Sequence, residues 1–183
     1  MQIETKRLIL RDQVFEDWRD IHEYAKDSEF SKYEHWGPNT EEDTKNFVLS
    51  NIERAKGTRR YKFDFSVVDK KTSKVIGGVG LRRESETSSV GSIGYAIHPL
   101  YQNLGFATEA VNALYEFGFN ALKLQVLWAT ADVLNNASYK VMEKSGMKRV
   151  GLILRHKEFK MAWHDSYRYE ITSVDYFKLA GVI

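Results

Sequence analysis

The stretch "HPLYQNLGFATEA", residues 98–110, decides how the rest of the chain is interpreted. Two small residues, Gly105 and Ala107, alternate with larger ones at the point where an amphipathic pattern begins. A helix start leaves several backbone N–H groups without partners and carries partial positive charge. A glycine-containing loop before such a start lets those N–H groups surround a phosphate, which larger side chains would obstruct. The stretch indicates an anion-binding helix start, although a tight turn with Gly105 at positive φ would use the same residues.

Hydrophobic periodicity predicts the elements that precede this stretch. Alternation predicts a first strand over 7–11, and helical spacing predicts a helix over 14–25. Thr40, with Asp43 three residues later, has the spacing of a capping box, so a second helix should begin there. We expect its buried side to comprise Phe47, Val48 and Ile52. Three consecutive strands, over 61–69, 74–82 and 90–98, should then follow as hairpins.

The elements after the glycine turn alternate between helix and strand. A helix with Ala110, Val111 and Leu114 on one face leads to "LQVLWATA" (124–131), which is typical of a buried strand. "NNASYKVMEKSGM" (135–147) predicts a helix that ends at Gly146, and two more strands should lie between residues 147 and 171. Together these patterns predict a single α/β (α+β) domain spanning residues 1–183. It should contain a mixed, mostly antiparallel sheet of about seven strands flanked by about four helices.

Composition excludes several classes of protein. The 183 residues carry 27 basic and 25 acidic groups, a net charge of +2, which gives no indication of a nucleic-acid partner. The absence of cysteine removes disulfides, thiolate metal sites and cysteine nucleophiles, and no metal is expected. No apolar run approaches the ~20 residues of a membrane helix, and the first residues do not resemble a signal peptide. We therefore expect a cytoplasmic protein that does not bind membranes.

Other phosphate-binding motifs do not fit the glycine turn. No Gly-Lys-Ser/Thr follows it, so it is not a Walker loop. The strand before it is third in an antiparallel series, and no acidic residue stands at the expected distance on a following strand, so it is a poor dinucleotide fingerprint. An α/β protein that binds a nucleotide phosphate through the same loop remains an alternative.

Four stretches together resemble a known family. "YQNLGFATEA" (101–110) is similar to the acyl-CoA diphosphate loop of the GNAT superfamily of N-acyltransferases. In that loop, Gln or Arg is followed three residues later by Gly, and Gly or Ala stands two residues after that Gly. "ETKRLILR" (4–11), "IGYAIHP" (93–99) and "NNASYKVMEKSGM" resemble segments of the branch that contains ribosomal-protein N-terminal acetyltransferases. The resemblance spans nearly the whole chain in the right order. It implies the GNAT fold, with a splayed strand pair that holds acyl-CoA.

The resemblance also implies which residues hold the cofactor. Backbone amides of the loop would bind the CoA diphosphate, with the Thr108 hydroxyl as an additional donor. The pantetheine arm would pair with main-chain groups near Ile97, as an added strand does. Asn135 would bind the pantetheine or its thiol end, although an asparagine before a helix is also a good cap. The loop residues implied are Gln102, Asn103, Leu104, Gly105, Phe106, Ala107 and Thr108.

By the same resemblance, Ser138 would protonate the leaving CoA thiolate, and Tyr139 competes for that role. In other branches the acid is a tyrosine seven residues after the asparagine, where this chain has Met142. The usual base is a glutamate immediately before "IGY", and here Ser92 takes its place. A hydroxyl is not a base at neutral pH, but Ser92 could hold a water that relays the proton. The further candidates for the base are Glu34, His35, Glu84, Glu86 and His98.

Acceptor binding is expected from two loops. Glu34, His35 and Trp36 lie between the first two helices, and Trp163 lies near the C-terminus. The two tryptophans could form an apolar wall for a peptide or aromatic amine, or simply pack over the edge of the core. We expect direct transfer of acetyl from acetyl-CoA to a primary amine, foremost a protein or peptide N-terminus. A polyamine, amino acid or antibiotic as acceptor, or a catalytically weak CoA-binding regulatory module, are the alternatives, and the protein should be a monomer or homodimer.

Overall fold

A computed structural model describes residues 1–57 and 59–181. Within these ranges the strands form one sheet in the order β1-β2-β3-β4-β5-β6-β8-β7, antiparallel except where β5 meets β6. The strands are β1 Gln2–Glu4, β2 Leu8–Asp12, β3 Lys62–Asp69, β4 Val75–Arg83, β5 Val90–Ile97, β6 Val126–Asp132, β7 Lys148–Phe159 and β8 Ala162–Thr172. The α-helices are α1 Trp18–Ala25, α2 Glu41–Ala55, α3 Phe106–Glu116, α4 Asn136–Lys144 and α5 Ser173–Leu179.

This architecture confirms the predicted mixed, mostly antiparallel α/β sheet. The described ranges contain two elements that the sequence patterns did not predict, β1 and α5, so the sheet has eight strands and the α-helices number five. The capping box at the start of α2 is confirmed, because the Thr40 hydroxyl accepts from the Asp43 N–H and the Asp43 carboxylate accepts from the Thr40 N–H. Gly146, at φ 90°, follows the end of α4 as expected.

Helices cover both faces of the sheet. On β2, Leu8 and Leu10 pack into the larger core with α3, whereas Ile9 packs against the cluster formed by α1 and α2. This alternation follows from the two-residue period of a strand. The expectation that Phe47 is buried was wrong: Val48 of α2 is fully buried, but 44% of Phe47 is exposed. The Phe47 ring instead lines an open cleft.

The only parallel contact in the described sheet is short. β5 and β6 pair at three positions, the last of which joins Ser92 to Trp128. Beyond that point β5 pairs only with β4 and β6 pairs only with β8. The two parallel strands therefore separate, as the resemblance to the acyltransferase fold implies. A Cβ placed on Gly94, in the separated part of β5, would meet no atom within 4 Å.

Candidate active site

The loop that joins β5 to α3 presents unpaired backbone donors. Gly105 is the N-cap of α3 with φ 81°, a left-handed conformation that favours glycine. Since glycine has no side chain, no side-chain acceptor caps the first N–H groups of α3. Asn103 also has positive φ, at 60°. In the described part of the chain, no acceptor lies within hydrogen-bond range of the N–H groups of residues 103–108. These donors, together with the positive end of the α3 dipole, form a site suited to a diphosphate.

Both the backbone N–H and the side-chain amide of Gln102 make hydrogen bonds within this loop. Its N–H donates to the Pro99 carbonyl at 3.2 Å, and its side-chain Nε2 donates to the Ile97 carbonyl at 2.9 Å. The free segment is thus one residue shorter than the predicted 102–108. Ile97 itself is buried at the end of β5, where the strand has already separated from β6.

Arg7 and Glu109 fix the loop to the first hairpin, a contact that the sequence patterns did not predict. The Arg7 Nε lies 2.6 Å from Glu109 Oε2, and Arg7 Nη1 donates to the Leu104 carbonyl at 2.9 Å. The guanidinium also lies 4.2 Å from the centre of the Phe106 ring. Burial raises the pKa of Glu109, but hydrogen bonds from Thr5 and Arg7 outweigh it, so the pKa is lowered and the carboxylate is charged. Arg7 thus places positive charge beside the free amides.

Replacing Arg7 with glutamine is expected to weaken CoA binding about tenfold, because it removes a cation and the brace on the Leu104 carbonyl. Isothermal titration with CoA at low and high salt measures the effect, which should shrink as salt screens the charge. Arg7→Lys, which keeps the charge but loses the planar fork, should lie between the two. An unchanged affinity in Arg7→Gln would show that the guanidinium serves only the protein's own packing.

A cleft of about 860 Å³ runs from the separated strands towards the α1–α2 loop. This volume lies within the range of small-molecule sites. Separated parts of β5 and β6 form one side, with Tyr95 and Thr130, and α4 contributes Ser138 and Met142. On the other side are the α1–α2 loop and α2, with Trp36 and Phe47.

Ser138 lies where β5 and α4 meet across this cleft. Its N–H donates to the Asn135 side chain at 3.1 Å, so Asn135 acts as the N-cap of α4. The Tyr95 hydroxyl donates to the Ser138 carbonyl at 2.6 Å and lies 3.1 Å from Ser138 Oγ. Burial raises the pKa of Tyr95, so the phenol stays protonated. The sequence patterns indicated no role for Tyr95, whose hydroxyl lies within hydrogen-bond distance of both Ser138 oxygens beside the cleft.

The other proposed acids and bases are placed differently. The Tyr139 hydroxyl donates to Asn136, and the residue is absent from the cleft lining among the described residues. Ser92 lines the cleft at the point where the strands separate. The His98 ring accepts from the Leu100 N–H at 3.1 Å, capping a short turn, and is packed against Tyr24.

Glu34 brings a carboxylate into the cleft. Its N–H donates to the Ser31 carbonyl at 2.9 Å, which fixes the loop locally, and Lys160 from the tip of the β7–β8 hairpin donates to the same carbonyl. Burial raises the pKa of Glu34, and the positive charges of Lys157 and Lys160 oppose the shift without cancelling it. A half-buried carboxylate with a raised pKa is a stronger base than an ordinary glutamate, which suits it to act as a general base.

The remaining expected acceptor residues divide into two groups. His35 and Trp36 line the cleft beside Glu34. The pKa of His35 is lowered by burial and by the positive charges of Lys157 and Arg82, so its imidazole is neutral at pH 7. Trp163 lies on the exposed part of β8 with the Arg155 guanidinium 4.9 Å from its ring centre, and it is not part of the described cleft lining.

The described residues provide neither a metal-binding cluster nor a membrane-spanning helix. No group of three or more His, Asp or Glu side chains is arranged to hold a metal ion in residues 1–57 and 59–181. Over the same ranges, no helix has both the length and the apolar character needed to cross a membrane.

Comparison with known proteins identifies the class. Residues 7–148 match the acetyltransferase (GNAT) domain family, and the chain therefore belongs to this family of N-acetyltransferases. It is 37% identical over 171 residues to the uncharacterized N-acetyltransferase YnaD of Bacillus subtilis, covering 93% of this chain and 96% of that protein. It is also similar to the crystal structure of a GNAT-family acetyltransferase from Bacillus anthracis, with 34% identity, a TM-score of 0.86, and 95% and 99% of the two chains covered.

Two further solved structures share the fold and carry specific names. The ribosomal-protein-S5-alanine acetyltransferase from Vibrio fischeri is 25% identical, with a TM-score of 0.79 and 96% and 98% of the chains covered. The spermidine N-acetyltransferase from Vibrio cholerae, in complex with CoA and spermine, is 21% identical, with a TM-score of 0.79 and 94% and 99% covered. At this identity the second shows the fold alone.

Proposed function

We propose that the protein transfers acetyl directly from acetyl-CoA to a primary amine, and that the favoured acceptor is a protein or peptide N-terminus. The observation that carries the use of acetyl-CoA is the run of free N–H groups over residues 103–108 at the start of α3. The separated strands β5 and β6 offer the adjoining groove for the pantetheine arm. The match of residues 7–148 to the GNAT acetyltransferase family supports this assignment.

The charges of the cleft favour an acceptor with one cationic group. Three carboxylates line it, but Asp43 is engaged in the α2 capping box and Asp64 lies 3.2 Å from Arg82 and 3.6 Å from Arg54. Of the three carboxylates, Glu34 is therefore the one available to bind the ammonium group of an acceptor in the cleft. Lys157, which also lines the cleft, would repel the further charges of a polyamine. An α-amine, with a pKa of about 8, also needs less help than a lysine-like amine to lose its proton.

In the proposed reaction, two side chains handle the protons. Glu34 takes a proton from the amine, and the nitrogen forms its bond to the acetyl carbon. The C–S bond then breaks, and the Ser138 hydroxyl protonates the departing thiolate as it receives a nitrogen proton by way of Glu34, so that neither side chain is left with a changed charge. The ring and indole of Phe47 and Trp36 would contact the side chain that carries the amine.

Thiol release from acetyl-CoA tests the acceptor. The panel comprises short peptides with free N-termini, the same peptides with blocked N-termini and a free lysine, spermidine, free amino acids and an aminoglycoside. We expect the highest kcat/KM with free N-termini, and mass spectrometry should place the acetyl group on the α-nitrogen. Higher kcat/KM with spermidine would overturn the acceptor assignment, and CoA binding without turnover on any amine would favour a binding module.

Replacing Ser138 with alanine is expected to lower kcat roughly 10–100-fold while leaving CoA affinity nearly unchanged. The effect should lie at or below the lower end of the ~10²–10⁴-fold range for general acids, because a thiolate with a pKa of about 8.5 can leave without full protonation. Tyr95→Phe, which loses only the hydroxyl that holds Ser138, should show a smaller decrease in the same direction. Stopped-flow measurement of thiol release checks both, and a wild-type rate in Ser138→Ala would transfer the acid role to Tyr139 or solvent.

A further inference from the structure

A small chamber lies beside Ser138, next to the cleft. It measures about 50 Å³, more than the ~10–15 Å³ that one water requires. Four residues line both the chamber and the cleft, so the two spaces are adjoining: Glu34, Thr130, Ser138 and Lys157. The proposed base, Glu34, and the proposed acid, Ser138, therefore both line the chamber.

The chamber is also lined by a carboxylate–imidazole pair whose carboxylate is buried. His164 Nδ1, on β8, lies 2.6 Å from Oδ2 of Asp132 at the end of β6, and only 4% of the Asp132 side chain is exposed. Asp132 Oδ1 accepts from the Leu134 N–H at 2.8 Å, and the His164 ring stacks on Phe159 with 3.8 Å between ring centres. Both partners are thus held in one orientation.

The hydrogen bond assigns the tautomer of His164. A carboxylate only accepts hydrogen bonds, so Nδ1 carries the hydrogen and Nε2 is left as the ring nitrogen that can take a proton. The Asp132 carboxylate would stabilise the imidazolium that results. This is the arrangement of a base with its orienting acid, and the proposed reaction has not used it.

We propose that the His164–Asp132 pair accepts, through the chamber, the proton that Glu34 removes from the incoming ammonium group. This inference rests on the proposed function. The ammonium loses one proton to Glu34, the proton moves to His164 Nε2, and the free amine attacks the thioester. After N–C bond formation, a second nitrogen proton passes by way of Glu34 and Ser138 to the thiolate. His164 releases the first proton to solvent, so each turnover forms one amide, one thiol and one free proton.

The charged groups around the chamber act on the His164 ring in opposite directions. The titratable groups that line it besides His164 are Tyr33, Glu34, Asp132 and Lys157, and Lys160 acts on Glu34 from the hairpin tip. Asp132 stabilises a positive ring, whereas the ammonium of Lys157 opposes it. His164 acts through Glu34, so we describe it as a positioning and relay residue.

The test compares His164→Gln and Asp132→Asn with wild type over a range of pH, using a peptide acceptor. Both should lower kcat/KM about tenfold at pH 7. The deficit should shrink as pH rises towards the pKa of the amine, because the acceptor then arrives deprotonated. A control, His22→Gln on α1, removes a histidine that contacts Thr44 and lines neither space, and should match wild type.

The outcomes separate the relay from the proposed function. A variant-to-wild-type ratio that stays constant with pH would mean that the pair only supports the fold, and wild-type rates in both variants would also overturn the relay. Absence of turnover in wild type with every amine would overturn the proposed function, and the relay with it. Nitrogen NMR of His164 gives a readout independent of turnover: hydrogen on Nδ1 is expected, and loss of this preference in Asp132→Asn. Hydrogen on Nε2 in wild type would contradict the assignment.

Discussion

Glu34→Gln is expected to lower kcat/KM for the amine about 10²–10⁴-fold at pH 7, the range for removal of a general base. Glutamine keeps the size and the accepting oxygen of the side chain but cannot take a proton. CoA affinity should be unchanged, because the free N–H groups over 103–108 lie on another element. Steady-state thiol release with a peptide acceptor measures the loss. Glu42→Gln, at an exposed position of α2, serves as the matched control and should match wild type.

The same carboxylate gives the pH dependence its direction. Because burial raises the pKa of Glu34, kcat/KM should fall as pH drops through a value above the ordinary 4.5 for glutamate. The folded protein binds this proton more tightly than the unfolded chain, so ionisation of Glu34 destabilises the fold as pH rises across that window. Glu34→Gln removes this penalty, and its thermal stability at pH 7 should equal or exceed that of wild type. If Glu34→Gln is inactive and less stable than wild type, the loss of activity would be due to a disturbed fold. If Glu34→Gln is active, the base would instead be a water held by Ser92.

Local chemistry made much of the fold predictable from the sequence. A capping box, a glycine after a helix and a glycine turn before one each depend on neighbouring residues, and all three stand where expected at Thr40, Gly146 and Gly105. β1 is only three residues long, and too short a segment carries no periodicity. The burial of Phe47 was mispredicted because helical spacing identifies an apolar face without showing that a cleft opens beside it.

The site required contacts that no local pattern encodes. Arg7 and Glu109 are 102 positions apart in the sequence. The sequence around each residue alone predicts only an ordinary charged side chain on the surface. Asp132 and His164 are 32 positions apart and meet only because β8 pairs with β6. For the base, the resemblance implies a glutamate at the position of Ser92, and no sequence pattern ranks the other candidates. Among those candidates, Glu34 lies on the α1–α2 loop and lines the cleft, which is why we propose it as the base.

Gly105→Val is expected to weaken CoA binding about 100-fold. A β-branched residue is strained at φ 81°, so the backbone of the loop must shift, although a Cβ at this position would meet only the Arg7 Nη2 atom at an ordinary contact distance of 3.4 Å. A shift that costs one or two charge-assisted hydrogen bonds, each about 1.5–3 kcal/mol, accounts for this loss. Isothermal titration with CoA and with pantetheine distinguishes the cause. Pantetheine lacks the diphosphate, so its affinity should change little.

The matched control for this substitution is Gly181→Val, which imposes the same strain elsewhere. Gly181 has φ 68° and open space around its Cβ position after α5, remote in sequence from the loop. The CoA affinity of Gly181→Val should equal that of wild type, even if its melting temperature falls by as much as that of Gly105→Val. Equal losses for CoA and pantetheine in Gly105→Val would mean that the valine disturbs the cleft as a whole. Unchanged CoA affinity would mean that Gly105 only turns the chain, because main-chain donors that grip a diphosphate cannot tolerate displacement of the loop that carries them.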